Sequence, residues 1–340
     1  MNLILTKDCA KQCSFCFTGV KDKDNEMDFN TIVKILDEFP EADIRLLGGE
    51  PTQYSRFNDV IDLLKSRNRP YYLISNLLFS KDVCNKILEY PPEWLMCNGM
   101  ELNEKNRITL FNNNWDILKD HTQLDIAITL SESTDRDTII NYLEWLTTKL
   151  GRLQLIRIGL DLSGSYLINN KTVGGIINDI GGFMKTEALK EFPEYIDKYT
   201  NETNQNLIDH VFNPATLAYN LKFDCQIPPC IFDTSKPTLK FNYSGMSAIC
   251  NKTAVDVFKG GTAIHCYPAS DISIQNVFEH NTEMDIAKRL RGIYKTAEKN
   301  ELIASECNEC DYYLFSHCAG LCLGCRNTGI TSHVIPISQI

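Results

Sequence analysis

Apolar and polar positions through the first half of the chain switch repeatedly between two periods, which predicts alternating strands and helices. Leu3 to Thr6 reads as a strand, and the polar, cysteine-bearing segment after it reads as a loop. Over 29–39 the apolar residues Ile32, Val33, Ile35, Leu36 and Phe39 recur at helical spacing, and Pro40 stops the pattern. A strand over Ile44 to Leu47 runs into Gly48-Gly49-Glu50-Pro51-Thr52. The cycle then predicts a helix near 57–65, a strand at 71–76, a helix near 81–88 and a strand around 94–98. A helix near 107–118, a strand at 125–130, a helix over 138–150 and a strand at 155–162 complete it. Six β/α units with right-handed crossovers make an α/β fold, a parallel sheet curled into a barrel or partial barrel. In such a barrel the loops at the C-terminal ends of the strands carry the site, and both 9–16 and 48–52 fall there.

Strand alternation then selects the side chains that face inward. On the last strand Ile156, Ile158, Leu160 and Leu162 form the face toward the helices, so Arg157, Gly159 and Asp161 face inward. On the preceding strand Ile126, Ile128 and Leu130 pack outward and leave Thr129 and Ser131 inside. If Asn98 points inward, Cys97 points toward the helices, and with Cys84 on a helix both cysteines read as core residues.

From about 164 to 240 the pattern loosens, with two Gly-Gly pairs and a polar run at 201–206. The expected organisation is therefore a barrel at 1–165, a connecting or substrate-shaping insert or plain surface excursion at 166–240, and a cysteine-rich domain at 241–340. There is no internal repeat.

With 340 residues and 43% apolar content the chain is globular. A net charge of −10 and a pI near 5.2 argue against nucleic-acid or anionic-membrane surfaces, which leaves small molecules or peptides as partners. The N-terminus lacks the apolar segment of a secretory signal and no window approaches a membrane span, so a cytoplasmic location is expected. In that compartment the fourteen cysteines stay reduced, and clustered ones point to metal. Nine of the fourteen lie between Cys225 and Cys325.

The first cluster, Cys9-x3-Cys13-x2-Cys16, places three thiolates where they can hold three corners of an iron–sulfur cube, leaving the fourth iron open to a ligand. A zinc site or buried thiols would also use three cysteines. The spacing, with Phe15 just before the last cysteine, resembles the signature of the radical S-adenosylmethionine (SAM) superfamily. Gly48-Gly49-Glu50-Pro51 resembles that family's GGEP motif. The resemblance implies a partial (β/α)6 barrel, a [4Fe–4S] cluster on Cys9, Cys13 and Cys16, and SAM bound at the open iron. It also implies that Gly48, Gly49, Glu50 and Pro51 contact the SAM ammonium and that Phe15 lies beside the adenine, unless Phe15 is ordinary core packing. Asn98 and Ser131 are then candidates for the ribose and Arg157 for the carboxylate, an ion pair between Arg157 and Asp161 being the structural alternative.

The second cysteine field begins with Cys250, Gly261 and Cys266 and continues through Cys307-x2-Cys310, Cys318-x3-Cys322 and Cys325. It resembles the SPASM extension of peptide-modifying radical SAM enzymes, a small α+β domain with two auxiliary [4Fe–4S] clusters. By position, Cys250, Cys266 and Cys322 would hold the first, and Cys307, Cys310, Cys318 and Cys325 the second. Seven residues rather than five separate Cys310 from Cys318, and Cys325 follows Cys322 where the family has a long gap. The fourth ligand of the first auxiliary cluster is unassigned: Cys225, Cys230, His265, His317 or an open iron would serve. Zinc is the competing occupant of this field.

The resemblance implies reductive cleavage of SAM to a 5′-deoxyadenosyl radical that abstracts a substrate hydrogen, with electrons from an external donor. It favours oxidative modification of a ribosomally made peptide, such as a crosslink or thioether. A strand that begins at residue 3 leaves no room for an N-terminal leader-binding domain, so a peptide is expected to be recognised by the rim, the insert or a separate partner protein. The alternatives are a radical dehydrogenase or isomerase of a small metabolite such as a sugar, and an iron–sulfur scaffold that binds SAM without cleaving it.

Overall fold

A computed structural model describes residues 1–11, 13, 16, 22, 24–100, 105–130, 134–150, 156–160, 175–177, 179–180, 221–223, 255–266 and 272–300. The strands are β1 (Asn2–Ile4), β2 (Ile44–Leu47), β3 (Tyr71–Ser75), β4 (Trp94–Cys97), β5 (Gln123–Leu130), β6 (Ile156–Leu160), β7 (Leu221–Phe223), β8 (Asp256–Val257), β9 (Ala263–Ile264) and β10 (Ser273–Ile274). The helices are α1 (Phe29–Glu38), α2 (Phe57–Ser66), α3 (Lys81–Glu89), α4 (Lys105–Leu118), α5 (Arg136–Leu150) and α6 (Glu283–Asn300). The chain divides into two compact units, one of Met1–Ala127, Lys252–Leu302 and Leu323–Ile340, the other of Ile128–Asn251 and Ile303–Cys322.

In the first unit β1, β2, β3, β4 and β5 lie side by side in chain order, each parallel to the one before. A helix joins each strand from β2 onward to the next, and α1 joins β1 to β2, which is the β/α alternation the hydropathy predicts. The register explains the core. Leu3 pairs with Leu46, Leu46 with Leu73, Leu73 with Leu95, and Leu95 with Leu124, so one row of leucines crosses five strands. All five are buried. At about 2 kcal/mol of transfer free energy for each buried leucine, this row contributes on the order of 10 kcal/mol toward holding the sheet to its helices. Ile32, Ile35 and Leu36 of α1, Val60, Ile61 and Leu64 of α2, and Phe111 and Trp115 of α4 are buried as well. On the other face Arg45, Leu47, Tyr72 and Ile74 keep partial exposure. On β2 and β3 the residues in the same phase as the leucines pack and those between them are half-buried, whereas Ile4 of β1 and Met96 of β4, also between, are buried.

The opposite edge of β1 is covered by the C-terminal part of the chain. β8 pairs with β1 in parallel, and β9 and β10 continue antiparallel beyond it. Residues 255–264, assigned from the sequence to a cysteine-rich domain at 241–340, therefore extend the parallel sheet of the first unit. Gly261 turns here with φ +80°, and an added Cβ would meet the Phe278 ring at 2.9 Å. Phe278 in turn lies 6.3 Å from the Phe39 ring, with the Lys34 ammonium 3.8 Å over its face. Ile286, Ala287, Leu290 and Tyr294 bury one side of α6.

In the second unit β6 and β7 are parallel, with Arg157 opposite Lys222. β7 falls inside the stretch expected to be an insert, where three residues, Leu221-Lys222-Phe223, are too few to show a period. Ile156 and Ile158 are buried while Arg157 and Gly159 are half-buried, as the alternation requires. Among the described residues no helix is long and apolar enough to cross a membrane.

Candidate functional site

The loops that follow β1, β2, β3 and β4 gather at one edge of the first unit, because parallel strands in order present all their C-terminal ends together. The loop after β1 carries the cysteines. Its root is closed by backbone bonds from Met27 N to Leu5 O (2.8 Å) and Lys7 N to Asn25 O (3.3 Å), with Thr6 bridged to Glu26. Within it the Thr6 hydroxyl accepts from Asp8 N at 3.0 Å and the Asp8 carboxylate from Cys9 N at 3.0 Å. Cys16 N bonds Cys13 O at 3.2 Å, making a turn that brings the last two cysteines close along the chain. Cys9 and Cys13 are half-buried and Cys16 is exposed.

Gly48 and Gly49 are explained by this loop. Gly48 has φ +154°, and a Cβ there would overlap the Thr6 carbonyl oxygen. A Cβ on Gly49 would overlap the Asp8 carbonyl and lie 2.7 Å from that of Lys7. The close approach lets Gly49 N bond Thr6 O at 2.8 Å and Glu50 N bond Asp8 O at 2.7 Å. The glycines thus seat the segment that leads directly into Cys9.

Glu50 is almost fully buried. Its Oε1 accepts from the Thr52 hydroxyl (2.7 Å), Thr52 N (3.3 Å) and the Ser75 hydroxyl (2.8 Å), and its Oε2 from Asn76 N (2.8 Å). Burial pushes its carboxyl up from the ordinary value of 4.5, against the pull of the bonds from Asn76, Thr52 and Ser75. Pro51 opens the short 3₁₀ turn Pro51–Gln53 that Glu50 caps. The side chain therefore ties the loop after β2 to the end of β3.

The loop after β3 contributes residues that periodicity does not reveal. Asn76 is buried; its Oδ1 accepts from Leu78 N at 2.8 Å and its Nδ2 reaches the Cys9 sulfur at 3.6 Å. Leu77 takes the left-handed conformation, φ +57°, rare for a leucine. It is fixed by Leu77 N to the Ser75 hydroxyl (3.0 Å) and by Asn114 Nδ2, which donates to Leu77 O and Phe79 O at 2.8 and 2.9 Å. Only the sequence Ser-Asn after a strand, a common turn signal, hints at this.

Lys11, inside the cysteine loop, is also buried, which the sequence pattern does not signal. Its ammonium donates to the carbonyls of Asn98 (3.4 Å) and Met100, fastening the loop to the end of β4. Asn98 itself is half-buried there, its Oδ1 accepting from Met100 N at 3.3 Å. Cys97 lies on the leucine side of β4 and is fully buried. Burial, with the Asp125 and Glu50 charges, pushes its thiol well above the ordinary range, which fits a core residue. Cys84 is likewise buried on α3.

The structure thus brings Cys9, Cys13, Cys16, Gly48, Gly49, Glu50, Pro51 and Asn98 to one strand-end edge. Arg157 is half-buried on β6 in the second unit. Phe15, Ser131 and Asp161 lie outside the described residues, as do Cys225, Cys230, Cys250, Cys307, Cys310, His317, Cys318, Cys322 and Cys325. Of the cysteines in the second field only Cys266 is described, half-buried after β9. The preceding His265 is buried with its ring 4.5 Å from that of Tyr294 on α6. Among the described residues no three His, Cys, Asp or Glu side chains converge on the position of a single metal ion.

Comparison with known proteins bears on the same segment. Residues 3–123 match the model of the Radical SAM superfamily. A search of curated proteins finds no match. Among solved structures, Streptococcus suis SuiB bound to S-adenosylmethionine is similar at 16% identity and a TM-score of 0.53, over 95% of this chain and 73% of that one. A second crystal structure of Streptococcus suis SuiB gives 15% and 0.52 over the same shares. At such identity the likeness is one of fold. Residues 3–123 are thus similar to a radical SAM domain, and they lie within an α/β fold built on a parallel sheet.

Proposed function

We propose that this protein is a radical SAM enzyme that modifies a ribosomally made peptide oxidatively. The observation that carries the reading is the seating on Gly48-Gly49 of residues 6–8, which lead directly into Cys9, at the strand-end edge of the segment that matches the superfamily. Cys9, Cys13 and Cys16 would hold the cluster, and the Gly48–Pro51 loop and Asn98 would line the SAM site beside it. Ser131 and Arg157 are further candidates for the ribose and the carboxylate. When bound, the cluster and SAM together supply one-electron cleavage of the sulfonium to methionine and a 5′-deoxyadenosyl radical that takes a substrate hydrogen. The electron comes from an external one-electron donor.

The residues of the chain bind, orient and shield. Glu50 holds the loops after β2 and β3 in register, and Lys11 fastens the cysteine loop to the end of β4. A peptide substrate, with or without a separate leader-binding protein, is supported by the cysteine spacing at 250–325, which resembles SPASM domains with two auxiliary clusters.

The test is anaerobic reconstitution of the whole chain, with iron and sulfide content and release of 5′-deoxyadenosine under reduction. About twelve irons fit three cubes. We expect release by the native sequence and none by Cys13→Ala. Release unaffected by Cys13→Ala refutes the radical reading, and four irons plus zinc refute the auxiliary clusters.

A further inference from the structure

The Asn76 side chain, outside the cysteine loop, donates a hydrogen bond to the Cys9 sulfur at 3.6 Å. We propose that Asn76 is a positioning residue that donates an N–H···S bond to the Cys9 thiolate and raises the reduction potential of the cluster held there. The inference rests on the reading of Cys9, Cys13 and Cys16 as cluster ligands, and adds to it a residue in the loop after β3.

Three observations carry it. First, the amide orientation is fixed: Leu78 N–H donates to Oδ1 at 2.8 Å, so the other end, Nδ2, faces the Cys9 sulfur at 3.6 Å. An acceptor-only side chain could not make that contact with a thiolate. Second, the residue is held from both sides. Its backbone N–H is taken by Glu50 Oε2, and the next residue, Leu77, is kept at φ +57° by Ser75 and Asn114. A leucine in that conformation is strained, and a fold retains such a turn where its surroundings over-determine it, often at a functional site. Third, Asn76 is 6% exposed, so water is nearly excluded from the amide, and a dipole aimed at the sulfur acts in a medium that screens it poorly.

The chemistry follows. Hydrogen bonds to cluster sulfurs withdraw charge from them and favour the more negative, reduced state. An electron therefore enters at a less extreme potential with Asn76 in place. No covalent bond changes; the amide acts through the thiolate.

The experiment is an EPR-monitored redox titration of the reconstituted full-length protein, with the signal of this cluster identified by its loss in Cys13→Ala. Asn76→Asp keeps the acceptor for Leu78 N–H and replaces the donor with a charge; Asn76→Ala removes both. We expect each to hold the same iron as the native chain and to lower the reduced fraction at a given potential at least tenfold, about 59 mV for one electron. Asn76→Asp should shift it at least as far as Asn76→Ala. Should both variants titrate within a factor of two of the native chain, the donor role is wrong while the cluster assignment stands. If the native protein shows no Cys13-dependent signal, the cluster assignment falls and takes this inference with it. Asn76→Ala, which adds no charge, decides the donor role: a chain that retains iron at an unshifted potential overturns the proposal by itself, and where it loses iron an unshifted Asn76→Asp does the same.

Discussion

Gly48→Ala tests whether the cysteine loop is seated as the structure has it. Gly48 has φ +154°, a region that side chains rarely adopt, and the new Cβ would overlap the Thr6 carbonyl oxygen while lying 3.1 Å from Thr6 N. The obstacle is backbone rather than the flexible end of a side chain, so either the substituted loop or the root of the cysteine loop must move. Backbone strain of this kind costs about 1–3 kcal/mol. If relief comes by separating the two loops, the bond from Gly49 N to Thr6 O (2.8 Å) is lost as well, worth about 0.5–1.5 kcal/mol. The sum, about 1.5–4.5 kcal/mol, should lower the melting temperature of the apoprotein by on the order of 3–9 °C at about 2 °C per kcal/mol. Because the displaced backbone leads straight into Cys9, iron content after reconstitution should fall too. Gly292→Ala is the control: its Cβ meets nothing within 4 Å and it sits inside α6, so alanine there should be neutral or stabilising by up to about 1 kcal/mol. Gly48→Ala melting within a degree or two of the native chain, with undiminished iron, would refute the close approach.

Two further outcomes follow from the buried polar groups. Lys11→Met keeps the apolar stem but removes the ammonium that reaches the carbonyls of Asn98 and Met100. A loss of about 1.5–3 kcal/mol and faster extraction of iron by a chelator are expected, and unchanged extraction would show that Lys11 does not fasten the loop. Glu50 has a folded-state pKa raised above 4.5, so its stabilising contribution is fully present below the unfolded value and is lost as pH rises through the folded one. Glu50→Gln does not titrate. In urea unfolding from pH 4.5 upward, the difference in stability between variant and native chain should therefore move in the variant's favour, and a pH-independent difference would show that the carboxyl is not perturbed as described.

Much of the first unit is legible in its sequence because the signals are redundant. Strand β2 falls at Ile44–Leu47 and helix α1 ends before Pro40 as the periodicity requires, since hydropathy, length and a stop residue agree there. The neighbourhood of the cysteines was also legible, because their spacing and that of the Gly-Gly pair are local. What was not legible depends on contacts distant in sequence. Asn76 lies 67 residues from Cys9, and Lys11 lies 87 from Asn98. Each looks like an ordinary turn or surface residue until the parallel sheet brings the strand ends together. The same holds for β8, whose two residues pair with β1 across more than 250 positions and carry no period of their own.

The change from core to site is visible within single strands. Two residues beyond the leucine row, in the same phase, stand Gly48, Ser75 and Cys97, with Ser75 opposite Cys97 in register. Leucines at those positions would fill the space that the Glu50 carboxylate occupies against Ser75. Burying a carboxylate is costly, and its four donors offset part of that cost without removing it, since its pKa still rises. An apolar plug would be the more stable choice for the strand ends alone. The carboxylate does what a plug cannot: it receives the backbone of Asn76 and caps the turn after Gly48-Gly49, so one side chain fixes two of the loops that touch the segment around Cys9. The energetic penalty at Glu50 is thus tied to the geometry of the cysteine loop, and it is at this row of small and polar residues that the sheet stops being scaffold and becomes site.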